Sequence, residues 1–158
     1  MTAYLALKWL HVLSSVVLVG TGFGSAFYMF FANRSGSLPA QVVVSRLVVR
    51  ADAWFTAPTV MLQPLTGIAL AHLAGWPLST PWLTAAIALS MQALLCWLPV
   101  VALQVRMARV AREDHDAGRP LRPAYARDAR LWEALGYPAF AATVIVFYLM
   151  VAKPALWA

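Results

Sequence analysis

The stretch Tyr4-Leu-Ala-Leu-Lys8-Trp9-Leu-His11-Val-Leu-Ser-Ser-Val-Val-Leu-Val-Gly20-Thr-Gly22-Phe-Gly24-Ser-Ala-Phe-Tyr-Met-Phe-Phe31 is apolar over more than a bilayer's length, yet it carries Lys8 and His11. A hydrocarbon layer needs roughly 20 apolar residues to cross it as a helix. Ionisable groups inside such a helix are costly and face a bundle interior, a cavity or a bound group. Lys8 and His11 are three apart, so a helix projects them from one side, His11 about a turn deeper. Two readings fit. In the first, a flat anionic ligand such as haem meets the imidazole at its iron and the ammonium at a propionate. In the second, Lys8 reaches back to the interface and His11 hydrogen-bonds a neighbouring helix.

The rest of the chain sets the class. Of 158 residues 62% are hydrophobic and 11% charged, with a mean hydropathy of +0.72, a balance that excludes an ordinary soluble domain. No charged side chain lies between Asp52 and Arg106, a run long enough for two spans. The first stretch is too long and too aromatic for a cleaved signal peptide, so it is expected to be retained. The single cysteine, Cys96, excludes an internal disulfide and a cysteine cluster for zinc or iron–sulfur. A net charge of +6 and a pI of about 10.1 would suggest nucleic acid in a soluble protein. Here the arginines fall in two loops, where topology and anionic lipid account for them and no nucleic-acid partner is expected.

These features predict an all-α fold: an integral membrane four-transmembrane-helix bundle, one transmembrane domain over 1–158. The expected spans are at about 2–31, 54–73, 81–105 and 131–152. An amphipathic cytoplasmic helix over Gln41–Asp52, with Arg46 and Arg50 on one side, is expected at the interface before span two. Gly20-Thr-Gly22-Phe-Gly24 lacks the preceding strand of a nucleotide-binding loop, and Gly20 and Gly24 read as a small-xxx-small pair admitting a helix or a ring. Pro58 and Pro64 predict a kink or local opening in span two, with Gln63 placed to satisfy a freed carbonyl. In the loop after span three, His115 between Asp114 and Asp116 reads as a solvated cluster, with metal binding the less favoured alternative.

Orientation follows from the basic residues. All ten arginines lie in the 34–52 and 106–130 regions, which the positive-inside rule puts in the cytoplasm, leaving both termini outside. His11 and His72 then approach the outer face from adjacent spans, and Lys8 and Lys153, the two lysines, sit at that boundary.

The order Lys8-x-x-His11, Val16 and Gly20, then Ala57-Pro58 with Gly67 and Leu70, then Pro81-Trp82-Leu83 and Val151-x-Lys153-Pro154 resembles the HemJ-type membrane proteins and the related CopD-like domains. Leu47-Val-Val-Arg50-Ala-Asp52, Gly75-Trp76-Pro77-Leu78-Ser79-Thr80-Pro81-Trp82 and Pro138-Ala139-Phe140 resemble a family of small bacterial four-span membrane proteins of unassigned function. The HemJ resemblance implies haem binding through His11 and a membrane oxidoreductase. Thr84 and Ala86 stand where that family has a histidine and a lysine, and Glu133 lies five positions before Pro138, so haem binding carries over better than porphyrinogen oxidation does.

The expected function is a b-type haem protein of the bacterial inner membrane, acting in electron transfer or a redox step near the outer face. His11 is the expected iron ligand and His72 the candidate opposite it. Lys8 and Lys153 are placed for propionates, and Gly20, Gly24 and Gly67 leave room for the porphyrin or for close packing. A quinone or other redox partner and a homodimer fit this reading. The alternatives are a non-catalytic scaffold or accessory subunit whose polar residues serve helix association, and a small-molecule or metal carrier. Against the carrier stands the expected absence of intramembrane carboxylates.

Overall fold

The first helix, α1, runs from Ala3 to Arg34 and opens with the Thr2 hydroxyl accepting the Leu5 amide. The computed structural model describes residues 2–157, and among them no strand occurs. Helix α2 (Leu38–Ala51) is capped by Ser37. It passes through a π-helical turn at Asp52–Thr56 directly into α3 (Ala57–Leu73). Helices α4 (Pro81–Asp116) and α5 (Pro123–Ala152) each begin on a proline, whose missing N–H is no loss in a first turn. Gly75 and Gly118, at φ +72° and +63°, make the left-handed turns that follow α3 and α4.

Among the described residues, three helices are long and apolar enough to cross a membrane: α1, α4 and α5. Helix α3 is 17 residues by itself. The helix expected before it is α2, and it leads straight on, with helical backbone unbroken from Leu38 to Leu73. No breaker separates the two segments, and their buried positions form one line. Gln41, Ser45, Val48, Asp52, Thr56, Thr59 and Thr66 are buried, and Gln63 is half-buried. These positions step by four, three, four, four, three, four and three.

The second consecutive step of four falls in the π turn. Pro58 explains its place: its ring crowds the carbonyl four residues back and it donates no hydrogen bond, so the backbone widens there. The Ala57 amide reaches back five residues to the Asp52 carbonyl. The extra residue is absorbed, and the stripe stays on one side of the long helix.

Helix α1 packs against α3, α4 against α5, and α2 against both α1 and α4. The larger apolar core lies at the arginine-bearing end and includes Met29, Val48, Leu103, Met107, Tyr125 and Trp132. A smaller one, Ala71, Trp82, Leu83, Ala86 and Leu149, closes the other end. Apolar surface between them is largely outward-facing: Phe27, Leu65, Leu95 and Val151 are all exposed. A lipid solvent accommodates that pattern and water does not.

Ion pairs and hydrogen bonds tie the arginine-bearing end together. Arg34 makes a two-pronged pair with Glu133 at 2.8 and 3.0 Å, joining α1 to α5. Arg106 grips the buried Asp128 through Nε and, at 2.6 Å, through Nη2. The Tyr125 hydroxyl donates to Asn33 Oδ1 at 2.7 Å, and burial pushes that phenol up to about 12.

Asp114 has no exposed surface and accepts from Arg119 Nε at 2.7 Å and from the Arg122 amide at 2.9 Å. Removal from solvent pushes its carboxyl up. The Arg122 amide and the Arg119 and Arg122 guanidinium groups outweigh that and hold it below the usual aspartate range.

A carboxyl depressed by folding stabilises the fold above its unfolded value, about 3.9, and that contribution is lost as pH falls through the folded value. Asp114→Asn is therefore expected to lower the thermal midpoint at neutral pH and to flatten its decline below about pH 4. Thermal unfolding of the detergent-purified protein across acidic pH reads both effects.

Candidate functional site

Where α1 and α3 face each other, four polar side chains meet. Their pairing runs antiparallel, His11 against Thr66 and Ser14 against Gln63. His11 Nδ1 lies 2.7 Å from Thr66 Oγ1. Gln63 Nε2 donates to the His11 carbonyl at 2.9 Å and to Ser14 Oγ at 2.6 Å. Gln63 thus bridges helices instead of satisfying a carbonyl freed by Pro64 on its own helix, because its side chain projects from the stripe that faces α1.

The contacts of Thr66 favour one histidine tautomer. A hydroxyl has one hydrogen, and that of Thr66 is aimed at the Leu62 carbonyl, 2.6 Å away, as helical threonines commonly do. Thr66 Oγ1 is left as an acceptor, so His11 donates to it from Nδ1. In the neutral ring Nε2 then carries the lone pair. The ring is also held sterically. A Cβ built on Gly67 would stand 3.3 Å from His11 Cε1, so the absent side chain leaves the space that the imidazole edge occupies.

The other candidate residues are less constrained. His72 is exposed near the end of α3, five residues beyond Gly67, and its side chain has no hydrogen bond among the described residues. Five residues of helix correspond to about 7.5 Å of rise. Lys8 is exposed, with Nζ 6.0 Å from the Tyr4 ring centre. Lys153, in a left-handed conformation at the end of α5, places Nζ 5.5 Å from the Trp76 ring centre and 5.7 Å from that of Trp82. The antiparallel pairing of α1 with α3, and the contact of Lys153 with the α3–α4 turn, put all four residues toward the same end of the bundle. No hydrogen bond joins them. A Cβ at Gly20 or Gly24 would meet nothing within 4 Å, so neither glycine serves a contact inside this chain.

Among the described residues, no group of three His, Cys, Asp or Glu side chains could hold a metal ion. The His115 loop illustrates why. His115 Nδ1 lies 3.6 Å from Asp116 Oδ1, while Asp114 is turned inward beneath Arg119 and Arg122.

The sequence reading missed a second polar cluster on the same stripe. Asp52 is 6% exposed and accepts from Thr56 Oγ1 at 2.9 Å. Gln104 of α4, 5% exposed, is its other polar neighbour. The available signal was the spacing of Asp52, Thr56, Thr59, Gln63 and Thr66, which repeats as a helix face only once the extra residue at Pro58 is allowed for.

Gly67→Ala is expected to push the imidazole edge aside and lower thermal stability. Gly20→Ala and Gly24→Ala are expected to hold or raise it, since alanine gains up to about 1 kcal/mol over glycine inside a helix. Melting curves of the three variants in one detergent check the contrast.

No curated protein and no solved structure matches the chain. Over residues 5–154 it matches the family model described as "Predicted integral membrane protein (DUF2269)", in keeping with its three apolar helices of membrane-crossing length. The chain belongs to that family of predicted integral membrane proteins.

Proposed function

We propose that the chain is a single-domain, four-span protein of the bacterial inner membrane that binds haem b through His11, in electron transfer or a membrane redox step near the outer face. The fourth span in this reading is α3 with the π turn ahead of it. The arginine-bearing end, with α2, lies in the cytoplasm, and both termini lie outside. The observation that carries the haem assignment is the 2.7 Å contact between His11 Nδ1 and Thr66 Oγ1, which anchors one ring nitrogen, while Nε2 makes no hydrogen bond among the described residues. Iron-ligating histidines are prepared in this way, the second nitrogen anchored so that tautomer and ring direction are fixed. A porphyrin brings its own equatorial nitrogens, so one well-held histidine suffices where a bare metal would need a cluster of protein ligands.

His11 would therefore be the residue to hold the iron. Nothing comparable positions His72, which stays the candidate for a second ligand. Haem bound there would supply a one-electron couple. The protein's part is to hold the imidazole, exclude water from the α1–α3 seam, and offer Lys8 or Lys153 as cations for propionates or an incoming quinone head group.

A second reading is supported by the same bonds. His11, Ser14, Gln63 and Thr66 satisfy one another between two helices, which is what a non-catalytic scaffold uses for association.

Oxidised and dithionite-reduced absorption spectra of protein produced with ample haem separate the two. The haem reading expects a Soret band in wild type, lost in His11→Ala and weakened in Thr66→Val, with His72→Ala deciding whether a second histidine ligates. A colourless wild-type protein overturns it and leaves the scaffold.

A further inference from the structure

Five of the six acidic side chains are paired with arginine: Glu113, Asp114, Asp116, Asp128 and Glu133. Asp52 is not, although it is 6% exposed. The charged groups on the elements around it are engaged elsewhere or turned outward. Arg46 and Arg50 of α2 are exposed, Arg34 of α1 holds Glu133, and Arg106 of α4 holds Asp128.

The polar neighbours of the carboxyl are Thr56, which donates to Oδ1, and the Gln104 amide. Asp52 Oδ2 is buried and lacks a hydrogen-bond partner among the described residues. An ionised carboxylate here would be a buried charge without a counter-ion and with one oxygen unsatisfied, an arrangement that favours the neutral acid.

We infer that Asp52 is a proton-binding site, its carboxyl standing as the neutral acid at neutral pH. Uptake is simple addition of H⁺ to the carboxylate, and release returns it, with no other bond changed. Asp52 also lies on the stripe that continues through Thr56, Thr59 and Gln63 to Thr66, the partner of His11. Asp52 and the residue that holds the His11 ring thus share one helix face, about 21 Å apart along the axis at 1.5 Å per residue. Chains of acid, hydroxyl and imidazole inside a membrane protein mark proton pathways. The inference does not depend on haem.

Infrared spectroscopy of the protein in lipid nanodiscs tests it. Because the other acids are ion-paired, a carboxylic-acid carbonyl band at neutral pH belongs to Asp52. It is expected in wild type, to shift in heavy water, to disappear in Asp52→Asn and to move in Gln104→Leu. Asparagine has the shape of the neutral acid, so Asp52→Asn is expected to fold. Should it fail to, wild-type protein carrying carbon-13 at the aspartate side-chain carboxyls must shift the same band. A wild type without the band at neutral pH, a band that survives Asp52→Asn, or one abolished by adding sodium ions overturns the inference, the last by making the site one for a metal cation.

Discussion

Polar groups withdrawn from water must find partners inside the protein, and in this bundle one face of one long helix carries most of them. From Gln41 to Thr66 the buried side of α2–α3 is almost entirely polar, with Val48 the apolar exception. In a bilayer the α3 part of that face cannot be turned outward, since each unsatisfied group costs several kcal/mol there. It is therefore turned inward, toward α1 and α4. Hydrophobic contact drives little in a solvent as apolar as the protein, and the cross-helix bonds of Gln63, His11 and Ser14 supply direction to the α1–α3 pairing.

The arginine-bearing end follows different rules. Its charges sit where water or lipid head groups can reach them, and the pairs between Arg34 and Glu133, Arg106 and Asp128, and Asp114 and two arginines staple α1, α4 and α5 at their ends. The exposed pair of Arg34 with Glu133 contributes about 0–1 kcal/mol. Asp128 and Asp114 are enclosed, and at Asp114 the lone pairs are met by an amide and two guanidinium groups, so the turn between α4 and α5 is specified by one side chain. The asymmetry between a charge-stapled end and a tryptophan-lined one, where Lys153 rests against Trp76 and Trp82, gives the bundle two distinct faces along its axis.

Much of this was legible in the sequence. A helix covers each apolar run marked off by proline and glycine, and His11 bonding to a neighbouring helix was one of two readings drawn from its position. What stayed hidden depended on phase. Asp52 looked like the polar end of a surface helix because Arg46 and Arg50, four residues apart, come just before it. Its burial becomes visible only when α2 and α3 are joined and the wide turn before Pro58 is counted. Likewise, Gly67 could be marked as a place for close approach, but not that the approaching group is the His11 ring, since helix pairing is a tertiary fact. The inward turn of Asp114 was lost for a similar reason: its arginine partners are five and eight residues along, beyond the turn.

The wide turn at Asp52–Thr56 has a further consequence for how the chain tolerates changes of length. In an ordinary helix, losing one residue swings everything downstream by about 100°, which would carry Gln63 and Thr66 away from α1. Here the backbone already houses a supernumerary residue. Removing one from the Ala53–Phe55 segment would let the wide turn relax to common pitch while the downstream face keeps its heading. Length variation among kindred chains should therefore gather at this single point of the long helix, as it would at a loop.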